Sequence, residues 1–294
     1  GFLEGAENRV NGRRQAYQDQ HELVMNTPMS NFDGLEENLK FLTAEVGNQL
    51  RSVHDFLANP ARGHYEKIIN KDDYIDKLKT IIENKCFSII HTRSSLSRQQ
   101  INKIRSIHTI GVNLERMADY CVNIARQMGY LDTPGILGQY EYDSAFSEIE
   151  SAIDQILPVL NEMNLSGALS ICKTEYVLDR VYKSQFDRIM AEIRKGLDVQ
   201  RLITVLFIFR YLERIGDAML NVGEALIFSI LGERVKIEQF EALQTTLEKS
   251  GFKDSIGEID FQSIWGSRSG CLIGRLGQLE SSGLPEAHGS IFKE

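Results

Sequence analysis

Apolar residues recur at steps of three and four along most of the chain, and this spacing predicts long amphipathic helices. No run of apolar–polar alternation is long enough to predict a strand. The predicted fold class is therefore all-α. The clearest stripe consists of Ile101, Ile104, Ile107, Ile110, Leu114, Met117, Cys121, Ile124 and Met128. A second stripe consists of Leu202, Val205, Leu206, Phe209, Leu212, Ile215, Met219, Val222 and Leu226.

Capping residues set the predicted ends of the helices. Ser97 and Gln100 form a capping-box pattern at the start of the first stripe. Asp198 can cap the helix of the second stripe, and Gly196 can end the helix before it. Asn59 can cap a helix with Pro60 in its first turn. The remaining predicted helices cover residues 35–57, 61–94, 142–163 and 166–195.

These six helices form two sets of three that repeat in sequence. The segment Leu114–Asp119 resembles Leu212–Asp217, and Lys71–Lys77 resembles Thr174–Arg180, each pair lying about 100 residues apart. We therefore predict two tandem three-helix-bundle repeats. The predicted organisation is an N-terminal arm at 1–30, a first repeat at 31–130, a second repeat at 140–245 and a Gly/Ser-rich C-terminal extension at 250–294.

Composition narrows the functional class. The chain has 294 residues, of which 42% are hydrophobic, and this is enough for a core. Its net charge of -8 argues against general nucleic-acid binding, which requires a basic surface. Neither a spanning apolar run nor a signal peptide is apparent, and we expect a cytoplasmic protein. The four cysteines are far apart and are predicted to be small core residues rather than disulfides.

Two carboxylates four residues apart occur four times, at equivalent places in both repeats. Residues at this spacing share one helix face, and like charges there repel each other. If the second and third helices of a repeat are antiparallel neighbours, four carboxylates converge in each repeat, and a cation is needed to neutralise them. The pairs are Asp72/Asp76 with Glu115/Asp119, and Glu175/Asp179 with Glu213/Asp217.

Carboxylate oxygens without sulfur or imidazole are hard ligands. They suit magnesium, manganese, calcium or iron and tolerate zinc. Asn123 and Asn221 each follow a motif Asp by four residues and could ligate the ion or orient a bound water. The sequence therefore predicts two metal sites formed by eight acids and these two asparagines.

The stretches Asn113–Asp119 and Tyr211–Asp217, each followed by Asn four residues after the Asp, resemble the signature of the PhoU family. The resemblance covers roughly residues 32–244. It implies two spectrin-like, up-and-down three-helix bundles whose acidic motifs bind multinuclear clusters of iron, zinc, manganese or magnesium. It also implies a homodimeric, non-enzymatic negative regulator of the phosphate regulon. Such a protein connects a phosphate ABC transporter to a sensor histidine kinase, with peripheral contact at the inner membrane.

Three alternatives remain open at this point. A ferritin-like di-iron oxidase needs Glu-x-x-His on two helices, and the sequence contains no such pair. A PhoU-like soluble domain associated with a sodium–phosphate cotransporter is a second alternative. A structural helical adaptor without bound metal is a third. The apolar residues of the C-terminal extension, such as Trp265 and Leu272, are expected to dock on the bundle or on a partner.

Overall fold

A computed structural model describes Phe32, residues 34–131 and 134–235, Ile237, and the backbone of residues 259–263 and 274–278. The predicted N-terminal arm and most of the C-terminal extension, including Cys271 and Trp265, lie outside these residues. The described chain contains six α-helices, a short 3₁₀ helix (Pro134–Gln139) and two strands. The helices are α1 (Leu35–Ala58), α2 (Arg62–Thr92), α3 (Arg98–Met128), α4 (Asp143–Glu162), α5 (Leu165–Arg194) and α6 (Val199–Leu231). The all-α prediction is confirmed, and the helix ends lie within a few residues of those predicted.

Side-chain caps explain where several helices start. Ser97 accepts a hydrogen bond from the Gln100 N–H, while the Gln100 side chain accepts one from the Ser97 N–H, so the predicted capping box is present. Asp198 accepts from the Arg201 N–H at the start of α6. The predicted Asn59 cap is wrong: the N-cap of α2 lies two residues later, at Ala61, and makes no side-chain cap bond. Ala61 has an extended backbone (φ -133°, ψ 141°), so the first helical residue is Arg62.

The third helices of the two repeats, α3 and α6, pack against each other. Around this central pair, α2 packs on α3, and α5 packs on α6, while α4 contacts both α5 and α6. Ser106 on α3 donates a buried 2.7 Å hydrogen bond to the Ala225 carbonyl on α6. The α1 helix reaches the second repeat, because the His54 ring stacks on Phe146 of α4 with centroids 4.4 Å apart. The two repeats therefore share one helical core.

The apolar stripes predicted from sequence form this core. Ile104, Ile107, Leu114, Leu202 and Leu226 are each 0% exposed. Cys86, Cys121 and Cys172 are buried among the helices, as expected for small core residues. No helix in the described residues is both long enough and apolar enough to cross a membrane.

Two short strands occur in the C-terminal extension. Ile259–Ser263 (β1) pairs antiparallel with Gly274–Gln278 (β2), and Phe261 lies opposite Leu276. The sequence pattern did not predict them, because five residues offer too few alternations to distinguish a strand from a turn-rich segment.

Candidate metal-binding site

In the first repeat, the four predicted carboxylates come together where α2 packs on α3. Asp119 on α3 is close enough to repel both Asp72 and Asp76 of α2, and Glu115 is repelled by Asp119 and by both α2 acids. The expected convergence of carboxylates from neighbouring helices is therefore present in the structure.

Asp72, Glu115 and Asp119 are harder to ionise than ordinary acids. Burial raises the pKa of Asp72, Glu115 and Asp119, and repulsion from the neighbouring carboxylates raises the pKa of each further. Nearby Arg126 and Lys79 offset part of this effect for Asp119. A group of acids held in this way gains stabilisation from any cation that binds among them.

Basic side chains already lie among the acids of the first repeat. Lys79 Nζ is 3.3 Å from an Asp76 carboxylate oxygen and 3.8 Å from one of Glu115. Lys79 also lies 3.9 Å from Glu83. One lysine therefore bridges the two helices at the place predicted for a metal ion.

In the second repeat, too, the four predicted carboxylates lie near one another, where α5 packs on α6. Burial raises the pKa of Glu175, as does repulsion from Asp179, Asp217 and Glu213 in turn. Each remaining acid has a basic partner on its own helix: Lys183 lies 2.6 Å from Asp179, Arg214 lies 3.4 Å from Asp217, and Arg210 bonds Glu213. Because these partners are local, the carboxylates of α5 and α6 are not bridged by a single lysine as those of α2 and α3 are.

Glu213 carries the best indication that a cation fits. Its side chain is only 13% exposed, and burial followed by repulsion from Asp217 raises its pKa. Arg210 bonds one carboxylate oxygen, whereas the other, Oε2, is buried without a hydrogen-bond partner. An unpartnered buried oxygen costs free energy, and a hard cation would satisfy it.

A glycine lets α5 approach α6 beside this site. A Cβ at Gly216 would lie 3.1 Å from the Leu178 Cβ and 3.4 Å from the Glu175 Cα. Gly216 directly precedes Asp217, so the close approach brings the acids of the two helices together. The first repeat has Ala118 at the equivalent position, and Ala118 is fully buried.

The two predicted asparagines lie in different surroundings. Asn123 accepts a 3.5 Å hydrogen bond from Arg126, whose guanidinium offsets part of the rise in the pKa values of Asp72 and Asp119. Asn221 lines a cavity between α3 and α6. Their part in metal binding stays a prediction.

Within the described residues, no three acidic, histidine or cysteine side chains stand ready-made in the arrangement of a metal site. The carboxylates are near one another but turn toward lysine and arginine. Sequence analysis missed these cations, although a signal was present. Lys79 follows Asp76 by three residues and Lys183 follows Asp179 by four, and both spacings share a helix face.

The raised pKa values predict how pH affects the metal-free protein. The folded chain holds protons on Glu115 at pH values where the unfolded chain has lost them, above about 4.3. The stability that Glu115 gives the folded state by holding its proton is fully present below the ordinary pKa, and it is lost as pH rises through the raised pKa. A Glu115→Gln variant cannot ionise there. Its urea midpoint, relative to that of the parent, should therefore increase as pH rises from 4 toward 7.

Glu37→Gln removes an exposed carboxylate from α1 and serves as the matched control. Its difference from the parent should stay small across the same range. A Glu115→Gln midpoint that falls or stays constant relative to the parent between pH 4 and 7 would contradict the prediction, because it would show that the interaction with Lys79 outweighs burial and repulsion.

Comparison with known proteins supports the relation suggested by the motifs. The PhoU domain family matches residues 39–128 and again residues 143–226. The phosphate-specific transport system accessory protein PhoU homolog of Clostridium acetobutylicum is 30% identical over 217 residues, covering 71% of this chain and 96% of that protein. PhoU homolog 1 of Thermotoga maritima is 27% identical over 212 residues, covering 68% of this chain and 90% of its own length.

Solved structures share the fold. The crystal structure of the phosphate transport system regulatory protein PhoU from Streptococcus pneumoniae superposes with a TM-score of 0.63 at 23% identity, covering 70% of this chain and 98% of that one. PhoU from Pseudomonas aeruginosa gives a TM-score of 0.60 at 21% identity, covering 69% of this chain and 99% of its own.

Proposed function

Because the chain belongs to the PhoU family, we propose that it is a metal-binding regulator of phosphate uptake and phosphate-responsive signalling. Its relatives are named as accessory proteins of phosphate-specific transport systems. We extend that role to this chain: it acts without catalysis, as a cytoplasmic homodimer at the inner face of the membrane. Its proposed partners are a phosphate ABC transporter and a sensor histidine kinase, on which it exerts negative control.

The observation that carries the metal part of this proposal is the buried, unpartnered Oε2 of Glu213 beside three further carboxylates. In this proposal Glu175, Asp179, Glu213 and Asp217 hold one hard cation or cluster. Asp72, Asp76, Glu115 and Asp119 hold the other. Iron, zinc, manganese and magnesium are the candidate ions, and what they would supply is positive charge that neutralises the acids.

The protein's own residues have two tasks in this mechanism. The acids of α2 and α3, and those of α5 and α6, tie neighbouring helices together when their repulsion is removed. Lys79 bridges the first pair of helices, and its ammonium group would have to move aside to leave room for a cation among the acids. Each repeat then presents a rigid surface on which transporter or kinase docks.

A structural adaptor without metal is the second candidate, and one observation favours it. Lysine or arginine partners already offset the charge of several acids, so a bundle with these partners needs no metal to hold it together. Relatives named as accessory proteins of transport systems do not favour a domain of a sodium–phosphate cotransporter.

Metal analysis separates the two candidates. The protein is stripped with chelator, dialysed against Mn²⁺ or Fe²⁺ and analysed for bound metal by mass spectrometry and for thermal unfolding. Saturation at about 100 times Kd should add about 2.7 kcal/mol for each site, which corresponds to a rise in Tm of about 5–10 °C per site. The Glu213→Gln/Asp217→Asn variant, which keeps side-chain shape, should lose the second site and part of that rise.

Glu37→Gln/Glu141→Gln, two exposed positions that remove the same charge, is the control and should bind metal as the parent does. Equal metal content in the parent and in Glu213→Gln/Asp217→Asn would remove the second site. The regulatory role is tested separately, by expressing the protein in a bacterium that lacks its own PhoU and measuring uptake of labelled phosphate. Uptake that stays the same with and without the protein would contradict that role.

A further inference from the structure

A cavity of about 400 Å³ lies between α3, α6 and the segment that follows α6. Its volume falls in the range of ligand pockets, which starts at about 300 Å³. It lies at the contact between the two repeats, where α3 packs on α6. The polar and charged residues that line it include Arg105, Thr109, Asn113, Arg116, Asn221 and Arg234.

The charge of this cavity is opposite to that of the chain. Three arginines line it against one acid, Glu224, whereas the whole protein carries a net charge of -8. In the described part of the chain, neither Arg105 nor Arg234 lies within salt-bridge distance of a carboxylate. Arginines gathered in a concave site without partner carboxylates attract anions and bond them in pairs through the guanidinium fork.

A buried hydrogen-bond acceptor in the same cavity sets a second requirement for the ligand. Asn113 is 5% exposed, and its Nδ2 donates a 2.8 Å hydrogen bond to the Thr109 carbonyl. That bond fixes the orientation of the amide, since a carbonyl oxygen only accepts. Its Oδ1 is therefore the atom left buried without a partner. A ligand that satisfies Oδ1 must offer a hydroxyl or an N–H as well as negative charge.

An apolar wall completes the site. The Arg105 guanidinium lies 4.8 Å from the centre of the Phe228 ring, and Ala225 and Val235 also line the cavity. Stacking on Phe228 holds the guanidinium in place, so less side-chain entropy is lost when it bonds an anion.

We propose that this cavity binds the phosphoryl group of a small molecule. A phosphoryl dianion uses more than one arginine, and either a P–OH group or a hydroxyl of an attached sugar can donate to Asn113. Free phosphate and a phosphate ester share this chemistry, and the size of the cavity leaves room for the sugar of an ester. The site goes beyond the proposed regulatory function and needs none of the acidic clusters.

Titration calorimetry of the full chain measures binding to this cavity. A chelator in the buffer removes metal ions, so the result does not depend on whether the acidic clusters bind metal. The probes are inorganic phosphate, ribose 5-phosphate and acetate. Inorganic phosphate, ribose 5-phosphate or both should bind, and acetate should bind at least tenfold more weakly. Arg105→Met/Arg234→Met should weaken phosphoryl binding at least about tenfold, since it removes two of the three guanidinium groups that can bond the anion.

Both substituted arginines are exposed, so the variant should keep the parent's thermal unfolding curve. Arg51→Met removes an exposed charge from α1 and should leave binding unchanged. Arg105→Lys keeps the charge but not the fork and should bind between parent and double variant. Binding of inorganic phosphate alone identifies the free anion as ligand, and tighter binding of ribose 5-phosphate identifies an ester. No binding of either probe, equal binding of acetate, or full binding by the double variant would overturn the proposal.

Discussion

Replacing Phe209 with alanine should lower the free energy of unfolding by about 3–5 kcal/mol, the range for truncating a buried aromatic ring. Phe209 on α6 is 1% exposed, and its ring packs edge-on against Tyr140 with centroids 6.0 Å apart. The Tyr140 hydroxyl donates a 2.8 Å bond to Glu192 on α5, and Arg188 covers the Tyr140 ring. Loss of the Phe209 ring therefore leaves a cavity and releases the residue that anchors the connection between the repeats to α5.

Phe207 provides a matched control two residues away. It lies on the outer face of the same helix and is 48% exposed. Phe207→Ala should change stability by no more than about 0.5 kcal/mol, as is usual for surface substitutions. Urea unfolding followed by circular dichroism measures both variants. Similar midpoints for the two would show that Phe209 does not pack as the structure has it.

Substituting alanine for Gly223 should destabilise the protein by about 1–3 kcal/mol, because it overpacks a helix contact. A Cβ at Gly223 would lie 2.4 Å from the Cys172 Sγ, 2.9 Å from the Cys172 backbone nitrogen and 3.1 Å from the Ala168 carbonyl oxygen. A side chain could rotate out of the way, but two of these three atoms belong to the backbone of α5. The whole helix must therefore move, which would also disturb the acids that α5 contributes.

Gly63→Ala tests the same change where there is room. A Cβ at Gly63, on the exposed side of α2, meets nothing within 4 Å. Alanine is a better helix former than glycine by about 0.8–1.0 kcal/mol in a helix interior, so this variant should be as stable as the parent or more so. Thermal unfolding measures the Tm of both variants. A Gly223→Ala protein with the Tm of the parent would contradict the close approach of α5 and α6.

The fold could be predicted from the sequence because its main determinants are local. The apolar stripe from Ile104 to Met128 identifies a buried helix face without knowledge of its neighbours. Ser97 and Asp198 sit next to the helices that they cap. Where a cap depends on more than residue type, local reasoning failed: Asn59 has a suitable side chain, but the backbone stays extended at Ala61 and the helix starts at Arg62.

The acidic clusters could be predicted only as far as helix periodicity reaches. Spacing placed Asp72 and Asp76 on one face, and the repeat indicated which α3 residues would oppose them. The position of Lys79 between α2 and α3 depends on how closely the two helices approach, which no spacing specifies. The same holds for Gly216, whose role appears only when Leu178 is seen against it.

The cavity between α3 and α6 lay beyond sequence reasoning altogether. Arg105 and Arg234 are 129 positions apart in the numbering (234 − 105) and belong to different repeats. Nothing in the motifs pairs them, since the internal duplication relates α3 to α6 but does not say that the two helices touch. Asn113 is an example: in the sequence it belongs to the family signature, and only the structure shows that its Oδ1 is buried without a hydrogen-bond partner.

The contact between α3 and α6 joins equivalent helices of the two copies of the PhoU domain. A surface that meets its own counterpart is the arrangement found in twofold dimers, in which one patch is complementary to itself. A protein with a single repeat could have made this contact between two molecules. Fusion of the duplicated unit would then have turned it into an internal one, held at high effective concentration by the connecting segment. Once joined, the copies were free to diverge. One such difference is Ala118 in the first repeat, at the position equivalent to Gly216 in the second.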